Sequence, residues 1–173
     1  MSFTSQVYCS NKVIQGAAST LNFFLSEVYM AQNFEVVELE ADEPKPGDLF
    51  LFKLLSPQAK WCGAHVGVYC GDGEIIHFEG KVPGHHGPQM FLKPLEGVVS
   101  KQSQRSLQRS RPLWRVLRRR GGVDPTVLAR RVREAMDADP PLYHPVRSNC
   151  VHFALHLLGI DSVSMDVDQT RTK

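Results

Sequence analysis

Two short stretches of this chain hold residue types that can do covalent chemistry together. One is Ser148-Asn149-Cys150-Val151-His152-Phe153-Ala154-Leu155, and the other runs from Gly63-Ala64-His65-Val66-Gly67 to Gly73-Glu74-Ile75-Ile76-His77. Cys150 follows a polar Ser-Asn pair and precedes an apolar helical run, which predicts it at a helix start. There the unsatisfied amides and the positive end of the dipole favour a thiolate. The same amides can hold an oxyanion. A buried structural cysteine is the competing reading, since most single cysteines are that. His65 opens one strand and His77 closes the next, twelve residues on across Gly71-Asp72-Gly73. In so short a hairpin the two imidazoles can share a face. One imidazole could then take the thiol proton while the other fixes its tautomer. Alternatively both are half-buried strand histidines bonded to backbone. Cys-His-His without a fourth ligand is an incomplete zinc set, and no metal or cofactor is expected.

The remaining candidates are weaker. His85 and His86 lie in a Gly-Pro loop and read as solvated, and His144, before Pro145, is given no role. His152 and His156 are four apart on the final helix, a ligand spacing without an acid or third ligand, and read as surface or packing residues. Cys62 and Cys70 read as strand or loop packing residues, and Asp48 as a turn former rather than a catalytic acid.

The elements that must position Cys150, His65 and His77 follow from pattern. Val13, Ile14, Ala17, Leu21, Phe24, Leu25 and Val28 recur at helical spacing between Lys12 and Gln32. That face either packs on the core, the commoner outcome, or touches membrane. Phe34–Leu39 reads as a short strand, and Pro44-Lys45-Pro46-Gly47-Asp48 as a turn. Strands are predicted at Leu49–Leu54, His65–Cys70, Glu74–Phe78 and Leu113–Leu117. Gly80 to Arg111 is rich in Gly, Pro, Ser and Gln and reads as a long irregular connection. Asp124 is the predicted N-cap of a helix with Pro125 in its first turn, running to about Met136. A last helix is predicted from Asn149 or Cys150 to Leu158, capped by Gly159.

Bulk composition narrows the class. The 173 residues, 22% charged and 42% hydrophobic, suit one globular domain. Four cysteines without a CxxC pair argue against a disulfide scaffold and fit a reducing, cytoplasmic setting. No secretory signal or membrane span is apparent, and Ser2 replaces the glycine that myristoylation needs. Within a net charge of +2, Lys101 to Arg120 carries eight basic residues and no acid. That run suggests either an anionic lipid surface or a solvated basic face. With Trp114 its only aromatic, it offers no base-stacking surface, and nucleic acid is not expected as a partner.

Taken in order, these segments resemble the lecithin:retinol acyltransferase-like (H-box/NC) family, most closely its phospholipase A and acyltransferase branch. The matching stretches are Lys45-Pro46-Gly47-Asp48-Leu49, the His65 to His77 hairpin, and Leu142-Tyr143 leading to Asn149-Cys150-Val151-His152-Phe153. The resemblance spans roughly residues 44–160. It implies an α+β, circularly permuted papain-like (NlpC/P60-type) fold, with an antiparallel sheet packed against helices. It also implies Cys150 as nucleophile, His65 as general base and His77 as the orienting group. Residues 1–43 are then an N-terminal extension, and 161–173 a polar tail where membrane-bound relatives carry an apolar anchor. Val66 stands where the family usually has an aromatic, and Val151 where it usually has an acid.

The expected function is a cysteine-dependent phospholipid acyl hydrolase or acyltransferase with an acyl-Cys150 intermediate. Its substrate would be a glycerophospholipid, and peripheral contact with anionic membrane would run through 101–120. The alternatives are a papain-like peptidase or isopeptidase, and a non-catalytic protein of the same type that recruits partners. An open hydrophobic face beside Cys150 favours lipid, a groove for extended chain favours peptide, and an unreactive thiol favours the third.

Overall fold

The computed structural model describes residues 32–55, 61–81, 95–143 and 149–160. Among the described residues are six strands and three helices. The strands are β1 (Phe34–Val36), β2 (Leu49–Leu55), β3 (Trp61–Gly71), β4 (Glu74–Lys81), β5 (Glu96–Ser103) and β6 (Leu113–Arg119). The helices are α1 (Gln104–Ser110), α2 (Pro125–Asp137) and α3 (Cys150–Leu157). The strands form one sheet in the order β1-β6-β2-β3-β4-β5, every neighbouring pair antiparallel. The protein is therefore an α+β structure with helices packed on an antiparallel sheet.

Strand alternation divides the core. Leu49 and Leu51 of β2, Val66 and Val68 of β3, Ile76 of β4 and Leu117 of β6 point to one side. There they meet Leu128 and Val132 of α2 and Cys150, Val151, Ala154 and Leu155 of α3. Phe50 and Phe52, Tyr69, Ile75 and Val116 point to the other side, where Leu107 of α1 joins them. Because β2 is covered on both faces, it reads as the unbroken apolar run Leu-Phe-Leu-Phe rather than as an alternating one. Burying each such side chain contributes about 1.5–3 kcal/mol, so this strand is the axis of the core.

The β3–β4 turn is built by its residues. Asp72 (φ 55°) and Gly73 (φ 76°) are both left-handed, the requirement of the tight hairpin turn whose twist matches that of the strands. Gly71 (φ 95°) takes up the register shift between Tyr69 and Gly71. The Tyr69 hydroxyl accepts from the Gly73 N–H at 3.0 Å, and the Gly73 carbonyl accepts from the Gln104 N–H at 2.8 Å. The hairpin is thereby tied to the start of α1.

Both carboxyl-terminal helices start where the sequence predicts. Asp124 accepts from the Thr126 and Val127 amides, with Pro125 in the first turn of α2. Asn149 caps α3, accepting from the Val151 N–H at 2.9 Å and the His152 N–H at 3.3 Å. Gly159 (φ 72°) follows the end of α3.

One expectation is overturned. Where it is described, the stretch from Gly80 to Arg111 is not irregular: β4 runs on to Lys81, β5 pairs with it along its whole length, and α1 follows directly, capped by Ser103; residues 82–94 lie outside the described residues. Ser, Lys, Gln and Glu give β5 little strand propensity of its own. It is an edge strand, held by ladder hydrogen bonds to β4 rather than by its own apolar pattern. The Phe34–Leu39 strand is shorter than expected, because the chain turns at Glu38, whose carbonyl accepts from the Ala41 and Asp42 amides. β1 comes from the segment read as an extension, yet it pairs with β6 in the same sheet. The Lys12–Gln32 helix lies outside the described residues except for its last position, as do Cys9, His85, His86, His144 and the tail. None of the described helices is long and apolar enough to cross a membrane.

Candidate functional site

Sheet register brings the two histidines together. His77 lies opposite Gly67, two residues along β3 from His65, so no side chain stands between the rings on that face. His65 Nε2 is 3.1 Å from His77 Nδ1, and the rings meet edge to face. His77 Nε2 is 3.3 Å from the Ser100 hydroxyl on β5, directly across the ladder.

Three groups that the sequence reading did not single out complete this cluster. Glu79, two residues beyond His77 and so on the same face, places Oε1 3.2 Å from His77 Nδ1 and 3.6 Å from His65 Nε2. Arg111, just past α1, donates from Nη2 to the same oxygen. Ser100 is the third. The i,i+2 spacing of His77 and Glu79 was a readable signal. Arg111 was not, because nothing in a run of eight basic residues marks the one that is buried.

The electrostatics follow from this packing. Burial, and then the Arg111 charge, hold the His65 imidazole well below its ordinary 6.5, so it is neutral. Burial works to raise the Glu79 carboxyl, but the hydrogen bond from His77 and the Arg111 charge outweigh it. They keep that carboxyl ionised far below the usual range.

Cys150 occupies the first turn of α3, as expected, but its surroundings are apolar. It packs with Val66, Val68 and Ile76, on the α3 side of the sheet. His65 shares its face with Phe52 and His77 shares its face with Gly67, on the α1 side. The two parts meet at Val66, the residue after His65, whose backbone hydrogen-bonds the thiol. No hydrogen bond joins Cys150 to His65 or His77. Burial pushes the thiol from 9.0 up to about 11, against the opposing effects of the Val66 bond and the Arg111 charge. It is therefore a protonated thiol at neutral pH. Exposures of 4% for Cys150, 5% for His65 and 1% for His77 leave little of the trio open to solvent.

The other candidates take structural places. His152, read as a surface or packing residue, closes a capping box: its Nδ1 sits 3.3 Å from the Asn149 N–H. His156 is exposed at the far end of α3. Asp48 forms the expected turn by accepting from the Lys45 N–H at 2.8 Å, and also takes both Nε and Nη2 of Arg118. Cys70 is half-buried and hydrogen-bonds the Val68 carbonyl.

A cavity of about 390 Å³ opens beside the start of α3. Phe78, Val99, Ala135, Pro140 and Phe153 give it apolar walls, and Asn149, the neighbour of Cys150, borders it. Compared with protein-family models, curated proteins and solved structures, the chain matches none.

Proposed function

We propose that this protein is a cysteine-dependent acyl hydrolase or acyltransferase acting on glycerophospholipid, with Cys150 as nucleophile, His65 as base and His77 as the group that orients it. The arrangement would be the circularly permuted papain-like one, in which the nucleophile's helix follows the histidine-bearing strands. One observation carries the reading: a hydrogen-bonded histidine pair sits one residue along β3 from the backbone group that meets the Cys150 thiol. The apolar cavity beside Asn149 supports a lipid chain over an extended peptide. In the reaction, which requires α3 to move so that the thiol, now on the other face of the sheet, reaches His65, the thiol proton passes to that ring and the sulfur attacks the ester carbonyl. The lysolipid oxygen then leaves with that proton, and water or another acceptor releases the acyl group. The protonated, covered thiol means that the start of α3 must open for this chemistry.

That same burial favours a second reading, in which the motif is kept for its fold and the protein acts by recruiting partners. Intact-protein mass spectrometry after incubation with phosphatidylcholine separates the two. An acyl adduct on Cys150 supports the first. No adduct, together with a thiol inert to probes at neutral pH, supports the second.

A further inference from the structure

The histidine cluster has a geometry that acyl transfer does not need. His65 Nε2, His77 Nδ1 and Glu79 Oε1 face one another at 3.1, 3.2 and 3.6 Å. Bonds of about 2.0–2.2 Å from a common cation, at angles between octahedral and tetrahedral, place their donor atoms about 2.8–3.6 Å apart. Three electron-pair donors thus converge at metal-ligand spacing.

The proton inventory sharpens the point. His77 can give up the Nδ1 proton that bonds Glu79 and carry its proton on Nε2 toward the Ser100 hydroxyl, which turns the Nδ1 lone pair inward. In that tautomer a single proton, on His65 Nε2, is left between His77 Nδ1 and Glu79 Oε1, the oxygen that also accepts from Arg111. A cation would serve all three. A second ring nitrogen held by a neighbouring oxygen is also the usual support for a metal-bound histidine.

We propose that His65, His77 and Glu79 form a binding site for a divalent transition cation of the zinc class, with two imidazoles and one carboxylate as protein ligands. Two nitrogens and one oxygen suit zinc, cobalt or iron rather than calcium or magnesium. Arg111 donates to the ligating oxygen: it fixes the carboxylate but adds a positive charge that the dication must tolerate. The site stands on its own geometry but competes with the acyl-transfer reading, because His65 cannot take the thiol proton while it holds a cation; Cys150 is not among the ligands.

The test is titration of the full chain with Co²⁺ and Zn²⁺, with X-ray absorption on the zinc-loaded protein. The expected result is one saturable equivalent of cobalt, displaced by zinc, with a visible spectrum of nitrogen and oxygen ligands and no thiolate charge-transfer band. The zinc edge should fit two imidazoles and oxygen. Glu79→Gln and His77→Gln, checked for folding by circular dichroism, should each weaken zinc binding by about 10–100-fold or more. Non-saturable or absent binding overturns the proposal, as does a sulfur ligand at the zinc edge. So does unchanged affinity in both folded variants. Should either variant fail to fold, the absorption spectrum of the parent protein decides alone.

Discussion

The thiol of Cys150 carries opposing demands. A nucleophile needs its anion, yet this one is buried against Val66, Val68 and Ile76 and held as the thiol up to about 11. Its alkylation by iodoacetamide should therefore be slow at pH 7 and accelerate toward pH 11. Fast modification at neutral pH would show that the helix terminus overrides burial. Linkage fixes the sign of the stability effect. Because the folded thiol binds its proton more tightly than the unfolded one, its contribution is fully present below about pH 9 and is lost as pH rises through about 11. A shift of this size is worth roughly 2–3 kcal/mol. Cys150→Ala should flatten the alkaline limb of a urea-denaturation profile over that window, and an unchanged limb would reject the assignment. The histidines divide their work unequally. His65→Ala should lower ester hydrolysis by about 10²–10⁴, and His77→Ala by less, since a base is harder to replace than the group that orients it. Equal losses, or a larger one at His77, would exchange or dissolve these roles.

The β3–β4 hairpin sets the distance between the imidazoles, and Gly67 is what allows it. A Cβ there would lie 2.4 Å from Ile75 Cγ2 and 3.7 Å from His77 Cβ. Gly67→Ala should destabilise the protein by about 1–3 kcal/mol through overpacking, read as a lower urea midpoint at unchanged m-value. A variant as stable as the parent would mean that the strands slide apart easily. This hairpin was legible in the sequence because β-branched and aromatic residues flank a Gly-Asp-Gly turn that permits few geometries. The starts of α2 and α3 were legible through Asp124 and Asn149, whose side chains do one job at helix termini. β5 and α1 were not. Glu96-Gly97-Val98-Val99-Ser100-Lys101-Gln102-Ser103 becomes a strand only because β4 offers it a ladder, and α1 shows Leu107 as its single buried residue. Ser100 and Arg111, which help complete the histidine cluster, sit on or beside these two elements, so two of its three supporting groups could not be foreseen.

Over the whole molecule, the basic stretch is largely internal wiring. Arg111 bonds Glu79, Arg118 bonds Asp42, Asp48 and the Glu43 carbonyl, and Arg119 bonds the Leu158 carbonyl at the end of α3. Lys101 and Arg120 face Glu74 and Glu35, while Arg105 and Arg109 stand exposed on α1. Peripheral binding to phosphatidylserine vesicles should accordingly be weak, at about 1 kcal/mol per exposed arginine, and should vanish at high salt. Reversing Arg105 and Arg109 to Glu should abolish it, whereas the same change at Arg118 should unfold the protein. Salt-insensitive binding, or none to any vesicle, would reject this surface. The strand order also sets a timetable. Leu49 pairs with Val68 on one side and with Leu117 on the other. The first pairing closes a short loop and the second a loop of about seventy residues, at greater entropic cost. In refolding, the histidine hairpin should gain amide protection before β6 docks. The last-made helix then seals the sheet, so pulse alkylation should find Cys150 open to reagent after the imidazoles have already met.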